Sequence, residues 1–465
     1  MTSTLVEPST RSNRFALWLR RFWVPVLLVV VALGYSGAST LMHSDSLSPI
    51  DEWVYSDYLD KVPTELLVHQ GETVGHEALD RMACHGVYPY GPMGARCGSS
   101  YSDVTKFPFA GKTSADAYTP AYFVVTWVVG GALHLVPGVD QLAGWRLTGA
   151  LWLAATMVLL FLLFRKFSVP APVTVALGLA FMVSPFAWWT YTYVSTDAPS
   201  VFFAALLLLL ATRFARGEGS GWWVVGMSAA AVVFKVTNIL AVCLIALYLV
   251  FVWLWELRRT RWTEGWRTHR PGLVERRSLG VPLIAVLAVA AGVAAQLVWL
   301  QIHKAIAVGP SANQGLGGPL ALKELANQLI NFLPGTLTSN VWITGGSGYA
   351  LPIYNWAVEP LSWLCIGGVL GAFWSALARR RRTGPVVLAT AIASVAFAPM
   401  LAVVLTITTG SYFQLPPRYG APLLAAFLLM PALLIRNRWA TWVITGYAVL
   451  LGIAMLILTA MLSRV

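Results

Sequence analysis

The sequence predicts an all-α polytopic membrane protein: a bundle of about eleven transmembrane helices, with juxtamembrane helices in a long first extracytoplasmic loop. Three observations carry this. Hydrophobic residues make up 57% of the 465 positions and charged residues only 11%, against about a quarter charged in a soluble domain. Apolar runs long enough to cross a bilayer recur along the chain. Lys and Arg gather in short clusters between those runs, the pattern that orients membrane proteins with their basic connections in the cytoplasm. The formal net charge of +12 is explained by those clusters, so nucleic acid is not an expected partner.

Taken in order, a basic tail over residues 1–21 holds Arg11, Arg14, Arg20 and Arg21 and is expected inside. The first span, about 23–41, reads as uncleaved despite the small residues Gly37-Ala-Ser39 near its end. The rest of the chain, 22–465, reads as one membrane domain. A polar loop at 42–117 follows, expected outside. In it, Leu59, Val62, Leu66 and Leu67, and then Leu79, Met82 and Ala83, are spaced for amphipathic helices that could lie along the membrane surface. Cys84 and Cys97 flank a turn-rich tract, Tyr88-Pro-Tyr-Gly-Pro-Met-Gly94, and a disulfide is their simplest reading outside the cell. Cys243 and Cys365 lie in apolar runs and read as core residues.

The stretch 118–137 is apolar but contains Gly130-Gly131, His134 and Pro137. Treating it as juxtamembrane or re-entrant keeps every later basic cluster inside. The remaining spans then fall at about 146–164, 173–190, 198–212, 222–234, 238–255, 280–301, 355–376, 385–408, 419–435 and 439–461. Residues 257–278 and 378–383 are expected in the cytoplasm, a second outer loop at 303–354 outside, and the C-terminus outside.

With that orientation, five polar residues fall on the outer face although none was used to set it. Asp51 and Glu52 follow the first span. Asp197 precedes the fourth, Lys235 interrupts an apolar stretch, and Arg418 precedes the tenth. Tyr55, Tyr193 and Tyr419 lie close to them in sequence and are further pocket candidates. Each charged residue has an ordinary alternative. The Asp51-Glu52 pair could be a solvated helix cap, Asp197 an N-cap, Lys235 a snorkelling side chain and Arg418 a contact to lipid phosphates. Together they suit transfer of a group from an anionic lipid. One carboxylate deprotonates an acceptor hydroxyl while a second orients it, and Lys and Arg hold the phosphate that leaves. His69, His76, His85 and His303 lack metal-ligand spacing, and neither a phosphate-cradling glycine loop nor a Ser-His-Asp signature is present.

In this order the motifs resemble those of the GT-C superfamily, the membrane glycosyltransferases that use polyprenyl-phosphate sugars. It includes protein O-mannosyltransferases, the lipid A aminoarabinose transferase and actinobacterial mannosyl- and arabinosyltransferases. The resemblance rests on Asp51-Glu52, Arg146-Leu-Thr-Gly-Ala150, Ser195-Thr-Asp-Ala-Pro199, Phe234-Lys-Val-Thr237 and Arg418-Tyr419 with Pro422. Val236 departs from the family's proline after the lysine, and Thr148-Gly149 from its Pro-Ser.

The resemblance implies Asp51 as general base with Glu52 beside it, Asp197 as a second acidic site for the acceptor, and inversion at the anomeric carbon. Lys235 and Arg418 would bind the donor phosphate. The partners it implies are a polyprenyl-phosphate sugar, a glycan, glycolipid or protein acceptor, and the bilayer of the plasma membrane. No cofactor is required, although a divalent cation could join the acidic cluster. No soluble carbohydrate-binding domain is expected after the last span. The alternative is a lipid or sugar transporter or flippase, for which the short spans meeting at Lys235 are the best argument.

Overall fold

A computed structural model describes the chain apart from residues 1–9, 44, 89, 264–273, 313–316, 339–351, 380–382 and 463–465. The predicted basic connections at 264–273 and 380–382, and 339–351 of the second outer loop, therefore lie outside the described residues, as do positions 1–9 of the tail. The described structure is helical, with isolated β-bridges and no named strand among the described residues.

The helices are α1 (Thr10–Met42), α2 (Glu52–Lys61), α3 (His76–Cys84), α4 (Pro120–His134), α5 (Gln141–Lys166), α6 (Ala171–Met182), α7 (Pro185–Thr192) and α8 (Ala198–Ala215). After them come α9 (Gly221–Phe234), α10 (Ile239–Thr263), α11 (Val274–Ala305), α12 (Leu322–Thr338), α13 (Pro352–Arg379), α14 (Gly384–Thr409), α15 (Leu424–Leu434) and α16 (Arg438–Leu462).

Nine spans among the described residues are long and apolar enough to cross a membrane, and α6 with α7 forms a tenth when counted as one broken span. This is a multi-pass membrane protein. Two of the roughly eleven expected spans take a form the sequence reading did not anticipate. The predicted span 173–190 is two helices bent by 66°. The break is at Ser184-Pro185, where the proline has no N–H to continue the helix and Ser184 Oγ instead accepts from Ala187 N at 3.2 Å. The predicted span 222–234 is α9, 14 residues long, or about 21 Å at 1.5 Å per residue and short of a hydrocarbon core of about 30 Å. The ambiguous stretch at 118–137 contains α4, a helix of 15 residues.

Small residues let the helices approach closely. A Cβ on Gly144 of α5 would stand 2.6 Å from Gly130 O of α4, and one on Gly368 of α13 would stand 2.5 Å from Pro431 of α15. The polar loop at 42–117 folds against this bundle. Helix α2 is buried from Glu52 through Leu59 and so packs against the rest of the protein along its length. Leu79, Met82 and Ala83 bury one face of α3. The periodicity that included Leu66 fails, because Leu66 has φ 61° and is half exposed in the turn after α2. The Cys84–Cys97 disulfide is formed, with Cα atoms 4.6 Å apart, and ties α3 to the tract that follows.

Candidate active site

The geometry begins at the link between α1 and α2. Asp51 is the residue before α2 and has φ 59°, a left-handed conformation uncommon outside glycine but tolerated best by Asp and Asn. Its carbonyl still accepts the first helical hydrogen bond, from Tyr55 N at 3.0 Å. Glu52 points the other way, into the core. Its Oε2 accepts from Ser48 N at 2.7 Å and its Oε1 from Val194 N at 2.9 Å. Arg146 of α5 donates from Nε to Oε1 and from Nη2 to Oε2, each at 2.8 Å. Arg146 Nη2 also donates to Ser46 O at 2.8 Å, and its guanidinium lies 4.8 Å from the Tyr193 ring.

This fully buried fork binds together the segments that carry Asp51 and Asp197. The sequence put Glu52 beside Asp51 in a catalytic role; in the structure its carboxylate is engaged by Arg146 and by the backbone N–H groups of Ser48 and Val194. Tyr193 packs on Arg146, His43 and Trp189 in the same layer. Arg146 was legible in the sequence as part of a motif, but its partner was not.

Asp197 stands at the start of α8 and makes no side-chain cap hydrogen bond. Its Oδ1 accepts instead from Lys235 Nζ at 2.6 Å, and Lys235 Nζ also donates to Thr196 Oγ1 at 3.0 Å. Lys235 reaches Asp197 because the chain becomes extended there, with φ −161° and ψ 129°, between α9 and the 3-10 turn Val236–Asn238. Tyr118 and Tyr419 stand with ring centroids 5.8 and 5.9 Å from its ammonium, within cation–π range. Tyr55 joins this layer: its hydroxyl donates to Tyr118 Oη at 3.0 Å and accepts from Thr196 Oγ1 at 3.3 Å. Burial pushes the Tyr55 phenol well above its ordinary range, helped by Tyr118 and Asp51, so it acts as a hydrogen-bond donor. Tyr118 and Thr196 were not singled out in the sequence, although Thr196 lies within the Ser195–Pro199 motif.

Arg418 lies in the 3-10 turn Pro417–Leu423 and donates from Nη2 to Asp51 Oδ2 at 3.3 Å. Its Nε is buried without a hydrogen-bond partner among the described residues. Helix α12 supports this turn so closely that a Cβ on Gly420 would meet Thr336 Oγ1 at 2.3 Å. Arg418 and Asp197 line a small cavity with Ile50, Phe186, Trp189, Thr190 and Ser195, about 10 Å³ and so large enough for roughly one water molecule.

The structure pairs Asp51 with Arg418 and Lys235 with Asp197. Of these four residues, Arg418 and Asp197 line the cavity. The pairs differ in accessibility. The side chains of Arg146–Glu52 are 4% and 0% exposed and those of Lys235–Asp197 3% and 3%, whereas those of Arg418–Asp51 are 18% and 36% exposed. The carboxylates of Asp51, Glu52 and Asp197 do not gather as a ligand set; each is paired with its own cation. His303 is elsewhere, with Nε2 2.9 Å from Asp116 Oδ2.

No protein-family model matches the chain, and no curated protein matches it significantly. Among solved structures, the chain is similar to ArnT from Cupriavidus metallidurans bound to undecaprenyl phosphate, with 18% identity, 93% of this chain and 63% of that one covered, and a TM-score of 0.43. It is also similar to the oligosaccharyltransferase AglB from Archaeoglobus fulgidus in complex with an inhibitory peptide and a dolichol-phosphate. There the identity is 13%, the coverage 96% of this chain and 56% of that one, and the TM-score 0.44. The chain therefore spans less than two thirds of the length of either protein.

Proposed function

We propose that this protein is a membrane glycosyltransferase that moves a sugar from a polyprenyl-phosphate carrier to an extracytoplasmic acceptor. The single observation that supports it best is the gradation among the three ion pairs. Two are sealed in the core and build the site. The third, Asp51–Arg418, is more open, and its guanidinium retains an Nε donor without a partner among the described residues.

In this reading the donor's phosphate approaches Arg418 and draws on its free donor capacity, loosening its hold on Asp51. Lys235 adds positive charge from behind Asp197. Asp51 takes the proton from the acceptor hydroxyl. The acceptor oxygen attacks the anomeric carbon as the bond from that carbon to the phosphate oxygen breaks, and the configuration inverts. Polyprenyl phosphate leaves as an anion beside Arg418, where the developing charge is stabilised. Asp197 and the buried Tyr55 hydroxyl orient the reactants.

The test is an assay of the purified protein with a panel of polyprenyl-phosphate sugars and with glycan, glycolipid and peptide acceptors. Sugar transfer matched by release of polyprenyl phosphate supports the reading. Lipid movement between leaflets with no transfer to any acceptor supports the transporter instead.

A further inference from the structure

We infer that the first outer loop holds a divalent transition-metal ion, zinc being the best fit, on Glu65, His69 and Glu72. Their ligand atoms all lie within 4.8 Å of one another, and this is the one such grouping among the described residues. Donors about 2.0–2.2 Å from a tetrahedral zinc are about 3.4 Å apart, so the three groups need close by little more than an ångström. The residues follow α2, where Leu66 turns the chain with φ 61° and brings Glu65 back toward His69.

The groups behind the ligands have the arrangement that metal sites use to orient them. His69 Nδ1 is 2.9 Å from Ile306 O. A carbonyl only accepts, so Nδ1 carries the proton and Nε2 keeps its lone pair for an ion. Glu72 Oε2 accepts from His69 N at 2.8 Å, and Glu72 Oε1 is paired with the Lys61 ammonium. Lys61 is itself shared with Asp57 Oδ2 at 3.0 Å and Thr73 O at 2.9 Å. Counting Asp57, Glu65, Glu72 and Lys61, the surroundings keep a net negative charge that favours a cation. One imidazole and two carboxylates form a nitrogen and oxygen set suited to zinc, with a fourth position left for water.

The site lies where the two outer loops meet. Gln70 O accepts from Val308 N at 3.0 Å and from Gly309 N at 3.1 Å, and Gln70 Nε2 donates to Gly309 O at 3.2 Å. Gly71 approaches so closely that a Cβ there would stand 2.5 Å from the Gly309 backbone. An ion on His69 would therefore brace α2 against the segment leaving α11. The inference is independent of the glycosyl-transfer reading.

The experiment uses the full chain in detergent, stripped with a chelator and then titrated with Zn2+ against a chromophoric competitor, with bound metal counted by mass spectrometry. The expected result is one equivalent of zinc and a rise in melting temperature on binding. His69→Ala and Glu65→Gln should each weaken binding by at least about 100-fold and abolish the thermal shift. Glu65 is exposed, so that variant keeps the stripped fold, while His85→Ala, a histidine elsewhere in the loop, should retain the ion. Absence of stoichiometric zinc from the wild type, or undiminished affinity in either ligand variant, overturns the inference.

Discussion

Arg418 Nη2 lies 3.3 Å from Asp51 Oδ2, a contact between residues 367 positions apart in the chain. It closes the bundle by joining the turn before α15 to the turn before α2. It also leaves a carboxylate and a guanidinium together at an accessible position, where neither is needed to hold the core.

The buried pair beside it behaves differently. Removing one partner of a fully buried ion pair strands the other charge, at a cost of roughly 3–5 kcal/mol. Arg146→Ala should therefore lower the melting temperature sharply. Asp51→Asn, at the accessible pair, should shift it little. Equal melting of the two variants would show that the Glu52–Arg146 fork does not hold the site together.

Lys235 and Asp197 are also sealed together, so Lys235→Ala alone confounds folding with function. The informative comparison includes the double variant Lys235→Met with Asp197→Leu, which removes both charges. That protein should recover much of the stability lost in Lys235→Ala, yet bind the polyprenyl-phosphate donor more weakly than the wild type. Full donor affinity in the double variant would remove Lys235 from the phosphate site.

Gly149 marks a close approach between α5 and α7. A Cβ there would lie 2.4 Å from Tyr191 O, a backbone atom two residues before Tyr193. Gly149→Ala should push α7 from α5 and displace the segment that ends at Asp197. At a displacement of about 1 Å, turnover should fall by as much as about 100-fold. The variant's donor affinity and rate, measured together, check this.

A cysteine placed at Ser100 and one at Thr268 should be labelled from opposite sides of the membrane, Ser100 from outside. This follows from the basic clusters alone. Labelling from the same side would contradict the assigned orientation.

Much of the fold was legible because its signals are local. Apolar runs located the spans, and a proline after a capping serine marks the α6–α7 break, although the break was not read. The charges Asp51, Asp197, Lys235 and Arg418 stood out because ionised groups are costly near lipid. Their pairing was hidden, since Asp197 with Lys235 and Asp51 with Arg418 are tertiary contacts across long separations. Glu52 shows the limit most clearly. Adjacent to Asp51 in sequence, it serves the opposite face of the backbone because Asp51 adopts a left-handed conformation and Arg146 offers a fork 94 positions away. The grouping of Glu65, His69 and Glu72 was also missed. Its spacing resembles one face of a helix, but the chain there is a turn, and only the fold shows that the three approach.

The most direct measurement is the turnover of Asp51→Asn on a polyprenyl-phosphate sugar that the wild type uses, with donor binding measured on the same preparation. Asparagine keeps the size of the side chain and an oxygen for Arg418, so the fold and donor affinity should persist. It cannot take a proton, so sugar transfer should fall by about 100-fold or more, the scale of losing a general base. Undiminished transfer by Asp51→Asn would contradict the account at its centre.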